Sequence, residues 1–243
     1  MSSLTGPVQA EYQDLFSSTT TQGGPGGGLN LGAIATTGDG REFAFTLAGA
    51  TALAPGKLYQ GPAETAGWEV LSVASAAVGA TSITTTSTVT ATANILAGGY
   101  AMVSYASGVG NIYKIKGNTA ATSAVFTVFL EDSVLTAITA GTTTITFVAN
   151  PYSGVILTAG SSEGTAAPVG VAIYPVVAAQ YGWIQVSGIA NVLTAGTIVV
   201  GESVVESTGT AGAVIAATSV SPVVGFAAQG ITSGNYGPVL LNI

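Results

Sequence analysis

The side chains able to do chemistry are few in this chain, and their spacing points away from the commonest catalytic arrangements. There is no histidine and no cysteine. Ser-His-Asp and Cys-His nucleophilic pairs are therefore absent, and a zinc site would have to be built from carboxylates alone. Acid and base work then falls to eleven Asp and Glu residues, as in glycosidases, where two carboxyls flank the bond and one is kept protonated. Three pairs are spaced for consideration. Glu131 and Asp132 are adjacent, so a strand would point them to opposite faces. Glu202 and Glu206 are four apart and could share a strand face, but Gly201 and Ser207 around them read as an exposed loop. Glu64 and Glu69 bracket Trp68, which would suit a sugar stacked on an aromatic platform; the plainer reading is a partly buried tryptophan with solvated neighbours.

Glycine motifs are no more specific. The run GGPGGG over residues 23–28 lacks the Lys-Ser/Thr that a phosphate loop needs, and it reads as linker. TGDG over residues 37–40 has one Asp and no further acidic ligand at calcium-loop spacing. The expectation is a protein with no catalytic residues, no metal and no cofactor.

Composition narrows the partners. Charged residues are 6% of the chain, against roughly a quarter in an ordinary soluble domain. A surface this neutral must be covered by Thr, Ser, Gly and Ala or by other subunits. The four basic residues, Arg41, Lys57, Lys114 and Lys116, face eleven acidic ones, and none follows Lys116. Nucleic acid and anionic membrane surfaces are thereby excluded as partners, since both are held by cations. The N-terminal residues lack the cationic head and apolar run of a signal peptide, and synthesis in the cytoplasm is expected.

The elements that must carry these residues read as strands. Phe43, Phe45 and Leu47 alternate with Glu42, Ala44 and Thr46. Further runs rich in Val, Ile, Thr and aromatics lie at 68–73, 82–90, 100–105, 111–116, 124–130 and 143–149. A second series occupies 169–176, 182–187, 197–200, 213–218, 223–227 and 238–242. Short strands at this spacing predict an all-β chain of two sandwich or barrel-like domains, residues 41–158 and 159–243, with the break in the polar stretch 152–168. Residues 1–40 read as a flexible arm. Within it Val8, Tyr12, Leu15 and Phe16 recur at helical spacing, either as an anchor onto a neighbouring subunit or capsid surface, or as a terminus packed on its own domain. Strand 124–130 is apolar on both faces, with Phe126, Val128 and Leu130 on one and Val125 and Phe129 on the other, as a subunit interface or a doubly covered core strand requires.

Two stretches carry a family likeness. One contains ILAGGYAMVSYASGVGNIYKIKGN and VFTVFLEDSVLTAITAGTTTITFVANPYSG; the other contains PVGVAIYPVVAAQYGWIQVSGIANVLTAGTIVVGESV and ends VVGFAAQGITSGNYGPVLLNI. From about Leu58 to the C-terminus the chain resembles β-rich head decoration or capsid-associated structural proteins of tailed bacteriophages. The resemblance implies a virion protein on the capsid surface, a homo-oligomer, most often a trimer, bound to the major capsid protein. It carries over no catalytic residue. The competing expectations are a receptor- or carbohydrate-binding fibre protein stacking glycans on Trp68, Tyr181, Trp183 and Tyr236, and a major tail-tube protein.

Overall fold

A computed structural model describes residues 8–9, 15–20, 28–122, 125–160, 164–218 and 222–243. The chain divides into two compact units: Met1–Ala63 together with Pro151–Ile243, and Glu64–Asn150. The second unit is therefore inserted between two halves of the first. This differs from the division at 158/159 expected above, and the reason is local. The stretch 152–168 contains strand residues Ser153–Leu157, which pair with both Glu42–Ala48 and Leu58–Gln60. Small polar residues mark turns, and here one such run also supplies a strand whose apolar side chain, Val155, is buried.

The first unit begins with β1 (Val8–Gln9), which lies parallel to β2 (Ile34–Thr36), and β2 forms a hairpin with β3 (Glu42–Ala48). The turn between them is TGDG. Thr37 and Arg41 both donate to Asp39, Arg41 as an ion pair of 2.8 Å, and Gly40 takes the positive φ of 82° that closes the turn. β4 (Leu58–Gln60) leads out of this half, and the chain returns as β11 (Ser153–Leu157), β12 (Pro168–Ala172) and the long β13 (Tyr181–Leu193).

These strands close on themselves. β3 pairs with β11, β11 with β4, β4 with β12, β12 with β13 and β13 with β3. The interior of this five-stranded ring takes Tyr59 from β4 and, from β3, only the small Ala44 and Ala48, with Val155, Ala172, Ile184 and Val186. The bulky residues of β3 therefore sit on the other face, where Phe43 and Phe45 pack against Trp183. At the end of this ring the register of β13 against β3 shifts between Gln185 and Ser187. The Gln185 amide is buried there and donates to the carbonyls of Ser187 and Ile189, both at 3.0 Å. Beyond it β13 pairs with β17 (Tyr236–Asn242), followed by β16 (Val223–Ala227), β14 (Ser203–Glu206) and β15 (Val214–Ala216). A parallel bridge from Val214 to Thr194 returns this second set to the end of β13. Its interior is Val192, Val204, Val224, Val239 and Leu241.

The inserted unit opens with a 3₁₀ turn at Ala66–Trp68 and continues as β5 (Leu71–Ser72), β6 (Ser82–Thr86), β7 (Tyr100–Tyr105), β8 (Ile112–Asn118), β9 (Val125–Leu130) and β10 (Thr144–Val148). The order is β5-β10-β7-β8-β9-β6, and a bridge between Val73 and Thr85 brings its two ends together. Strand alternation is clean here. Tyr113, Ile115, Phe126, Val128, Ile145 and Phe147 point inward to one core.

The described residues are thus almost wholly β, with barrel-like and sandwich-like sheets, as the alternation predicted. Several boundaries differ. Of the strand expected at 68–73, Trp68 ends a 3₁₀ turn and only Leu71–Ser72 is strand, residues 197–200 contribute only a bridge at Ile198, and β14 occupies the region read as an exposed loop.

Candidate functional site

The residues singled out for chemistry are scattered by the fold. Trp68 is packed into the inserted unit's core and offers no open platform between Glu64 and Glu69. The two carboxyls do approach each other: the hydrogen bond that protonated Glu69 donates to Glu64, and then the Glu64 charge, hold the Glu69 carboxyl above the ordinary range. Both lie in solvent, as do Glu131 and Asp132. Glu202 closes its own turn by accepting the Val199 N–H at 2.7 Å. Glu206 ends β14 half-buried. Burial pushes its carboxyl up, and a hydrogen bond from the Ala159 backbone pulls it partly back. Asp39 is held below the ordinary range, chiefly by the Thr37 hydroxyl and also by Arg41. Among the described residues no three His, Cys, Asp or Glu side chains are placed to hold a metal ion.

The proposed stacking aromatics divide in the same way. Trp183 is buried against Phe45 at 5.2 Å between ring centroids, and Tyr181 stacks on Phe45 at 5.7 Å. Only Tyr236 of the four stands largely in solvent.

Of the two readings of the N-terminal apolar residues, the structure shows packing on the chain's own domain for Leu15 and Phe16. Leu15 is 1% exposed, enclosed in its own chain with Ala35, Phe43, Phe45 and Trp183, and Phe16 meets Tyr174 edge-on at 5.9 Å. Thr19 bridges to Tyr181 by backbone hydrogen bonds in both directions. Val8 belongs to a strand and not to a helix, and Tyr12 lies outside the described residues. Residues 15–20 and 28–36 are therefore a cover over the aromatic face of β3 and β13, where Phe43, Phe45 and Trp183 lie outside the cluster that fills the ring. Leu15 is thereby enclosed within its own chain, and Phe16 is partly buried.

What the fold does leave open is the outer face of the inserted unit. On β9 Val125 is 62% and Phe129 43% exposed, while Phe126, Val128 and Leu130 are buried. The neighbouring strands continue the surface: Val148 on β10 opposes Tyr100 on β7, and Met102 on β7 opposes Ile112 on β8. Of the two lysines of β8, Lys114 is masked, since its ammonium lies 4.2 Å over the Tyr100 ring and donates to the Gly98 carbonyl, while Lys116 stands exposed near Phe129. Between the apolar residues stand hydroxyl pairs, Ser104 with Thr146 at 2.8 Å and Thr84 with Thr127 at 3.3 Å. In the first unit a shorter row crosses three strands, with Leu240 opposite both Ile189 and Phe226, all three exposed. Sequence alternation marks β9 as apolar on both faces. The rest of the surface depends on which strands are neighbours.

Comparison with family models, with curated proteins and with solved structures found no match to this chain.

Proposed function

We propose that the chain is a structural protein of a bacteriophage virion, a decoration protein that binds the outer surface of a major capsid protein lattice as a homo-oligomer, a trimer by its resemblance, and stabilises the head by contact and without catalysis. The observation that carries this reading is the open outer face of β7 to β10, where Tyr100, Met102, Ile112, Val125, Phe129 and Val148 form a surface of apolar and hydroxyl groups. Exposed apolar side chains gathered on one sheet face mark protein contact. Low charge suits it further, because burying such a surface desolvates few ions. A symmetric lattice repeats each contact, so a modest affinity per site becomes tight attachment of the oligomer.

The test mixes the purified chain with capsids that lack it. Saturable co-sedimentation is expected, with a higher temperature of genome release from decorated heads. An Ile112→Asp, Val125→Asp double variant, altered only on the outer face, should stay folded and lose attachment. Absence of co-sedimentation by the unaltered chain, or stacked tubes of the pure protein in electron micrographs, would replace the decoration reading, the latter in favour of a tail tube.

A further inference from the structure

One end of the inserted unit holds a cleft of about 730 Å³, within the range of small-ligand sites, lined by Thr81, Asn94, Lys116, Gly117, Phe129 and Glu131. Three local irregularities make it. The register of β8 against β9 shifts between Ile115 and Gly117, opposite Leu130 and Phe129, so Lys116 is the extra residue of a bulge. Bulges re-aim side chains, and Lys116 stands exposed at the cleft. Gly117 follows, and a Cβ there would meet the Asn94 Oδ1 at 2.5 Å; the missing side chain is what lets Asn94 approach the strand. Asn94 itself holds a positive φ of 62°, a conformation that Asn tolerates better than most residues.

The turn bearing Asn94 is fixed from beneath by Asn118, which is buried. Its Oδ1 accepts the Leu96 N–H at 3.0 Å, and its Nδ2 donates to the carbonyls of Thr92 at 3.0 Å and Thr119 at 2.9 Å. The cleft is therefore pre-organised, its wall set by a satisfied buried amide.

Its chemistry selects a ligand class. Lys116 offers donors only, ionised Glu131 acceptors only, and the Asn94 amide and Thr81 hydroxyl both. The two charges cancel, which disfavours a strongly charged ligand. Phe129 adds an exposed aromatic ring. A pyranose presents the matching surfaces: hydroxyls that donate and accept around its rim, and C–H groups on its face. We propose that this cleft binds a neutral saccharide, with Phe129 against the sugar face and Lys116, Asn94 and Glu131 on its hydroxyls. The cleft shares Phe129 with the outer face proposed for capsid contact, whereas Thr81, Asn94, Lys116 and Glu131 are not among the residues named there, so Glu131→Gln separates loss of sugar binding from loss of attachment.

The test is a titration of the full, isotope-labelled chain, followed through its backbone amide NMR signals. The probes are glucose, galactose, mannose, N-acetylglucosamine and cellobiose, with glycine as a zwitterionic control. Saturable shifts centred on Lys116, Gly117 and Glu131 are expected from at least one sugar, with a Kd on the order of 1 mM. Phe129→Ala and Glu131→Gln should each weaken it at least about tenfold, and Phe129→Tyr should retain it. Both side chains face solvent, and the same spectra report whether each variant is folded. No saturable shift at these amides from any sugar, equal shifts from glycine, or undiminished binding in both variants would overturn the proposal.

Discussion

The outer face of β3 and β13 and the outer face of β7 to β10 begin from the same difficulty, large apolar side chains on the side of a strand that turns away from the ring, and they resolve it differently. Over β3 and β13 the chain covers itself: Leu15, Phe16, Leu29, Leu31 and Ala33 lie against Phe43, Phe45 and Trp183. Over β7 to β10 Val125, Phe129, Ile112 and Tyr100 remain in solvent. The contrast separates two meanings of a strand that is apolar on both faces. One is a core strand with a second layer, and the other is a surface awaiting a partner. Only the second supports a reading as a contact protein, and alternation in sequence is blind to the distinction.

Substitutions can break this contrast. The largest effect is expected at the covered face. Trp183→Ala should cost ~3–5 kcal/mol in denaturant unfolding, because the cavity forms between two layers that cannot collapse freely. Leu15→Ala tests the cover itself and should cost ~2–5 kcal/mol; a loss within ~0.5 kcal/mol would mean that the segment is a dispensable arm. Asn118→Ala in the inserted unit should cost ~1–3 kcal/mol, since it removes the acceptor of the Leu96 N–H and the side-chain donor to the Thr119 and Thr92 carbonyls, the latter keeping only the Ile95 N–H. At the bare face, Val125→Thr should change stability by no more than ~0.5 kcal/mol while reducing association in sedimentation velocity.

The smallest effect is a pH dependence at Glu206. Its carboxyl is raised in the folded chain, mainly by burial, so the folded state holds this proton more tightly than the unfolded state. The associated stability is present below the ordinary carboxyl range and fades as pH rises through the raised folded value. Urea midpoints of Glu206→Gln should therefore fall less than those of the unaltered chain across that window. A steeper fall for the variant would reverse the assignment. Partial exposure of the group keeps the difference small.

Much of the β content was legible because period-two alternation is a local property. Residues 100–105 and 223–227 match the observed strands end to end, and 124–130 and 143–149 differ only at their ends. Strands without that signal were hidden. β4 is three residues long, and β11 lies in a run of turn-forming residues that is held in place by parallel pairing to β3. The inserted unit was hidden as well, since nothing local marks Ala63 and Pro151 as two crossings of one boundary. The cleft at Lys116 was equally silent: Asn94, Lys116 and Glu131 are unremarkable until a bulge, a glycine and a left-handed turn bring them to one place.

By itself the sequence determined the β class, the scarcity of charge and the absence of histidine and cysteine, because each depends on residue identity or on neighbours along the chain. Tertiary structure alone decided which apolar faces are covered, that Leu15 is enclosed within the molecule, and where the cleft forms. Those outcomes depend on contacts between residues far apart in sequence, such as Leu15 with Trp183 and Asn94 with Gly117, and a strand's own residues do not specify what will lie against it.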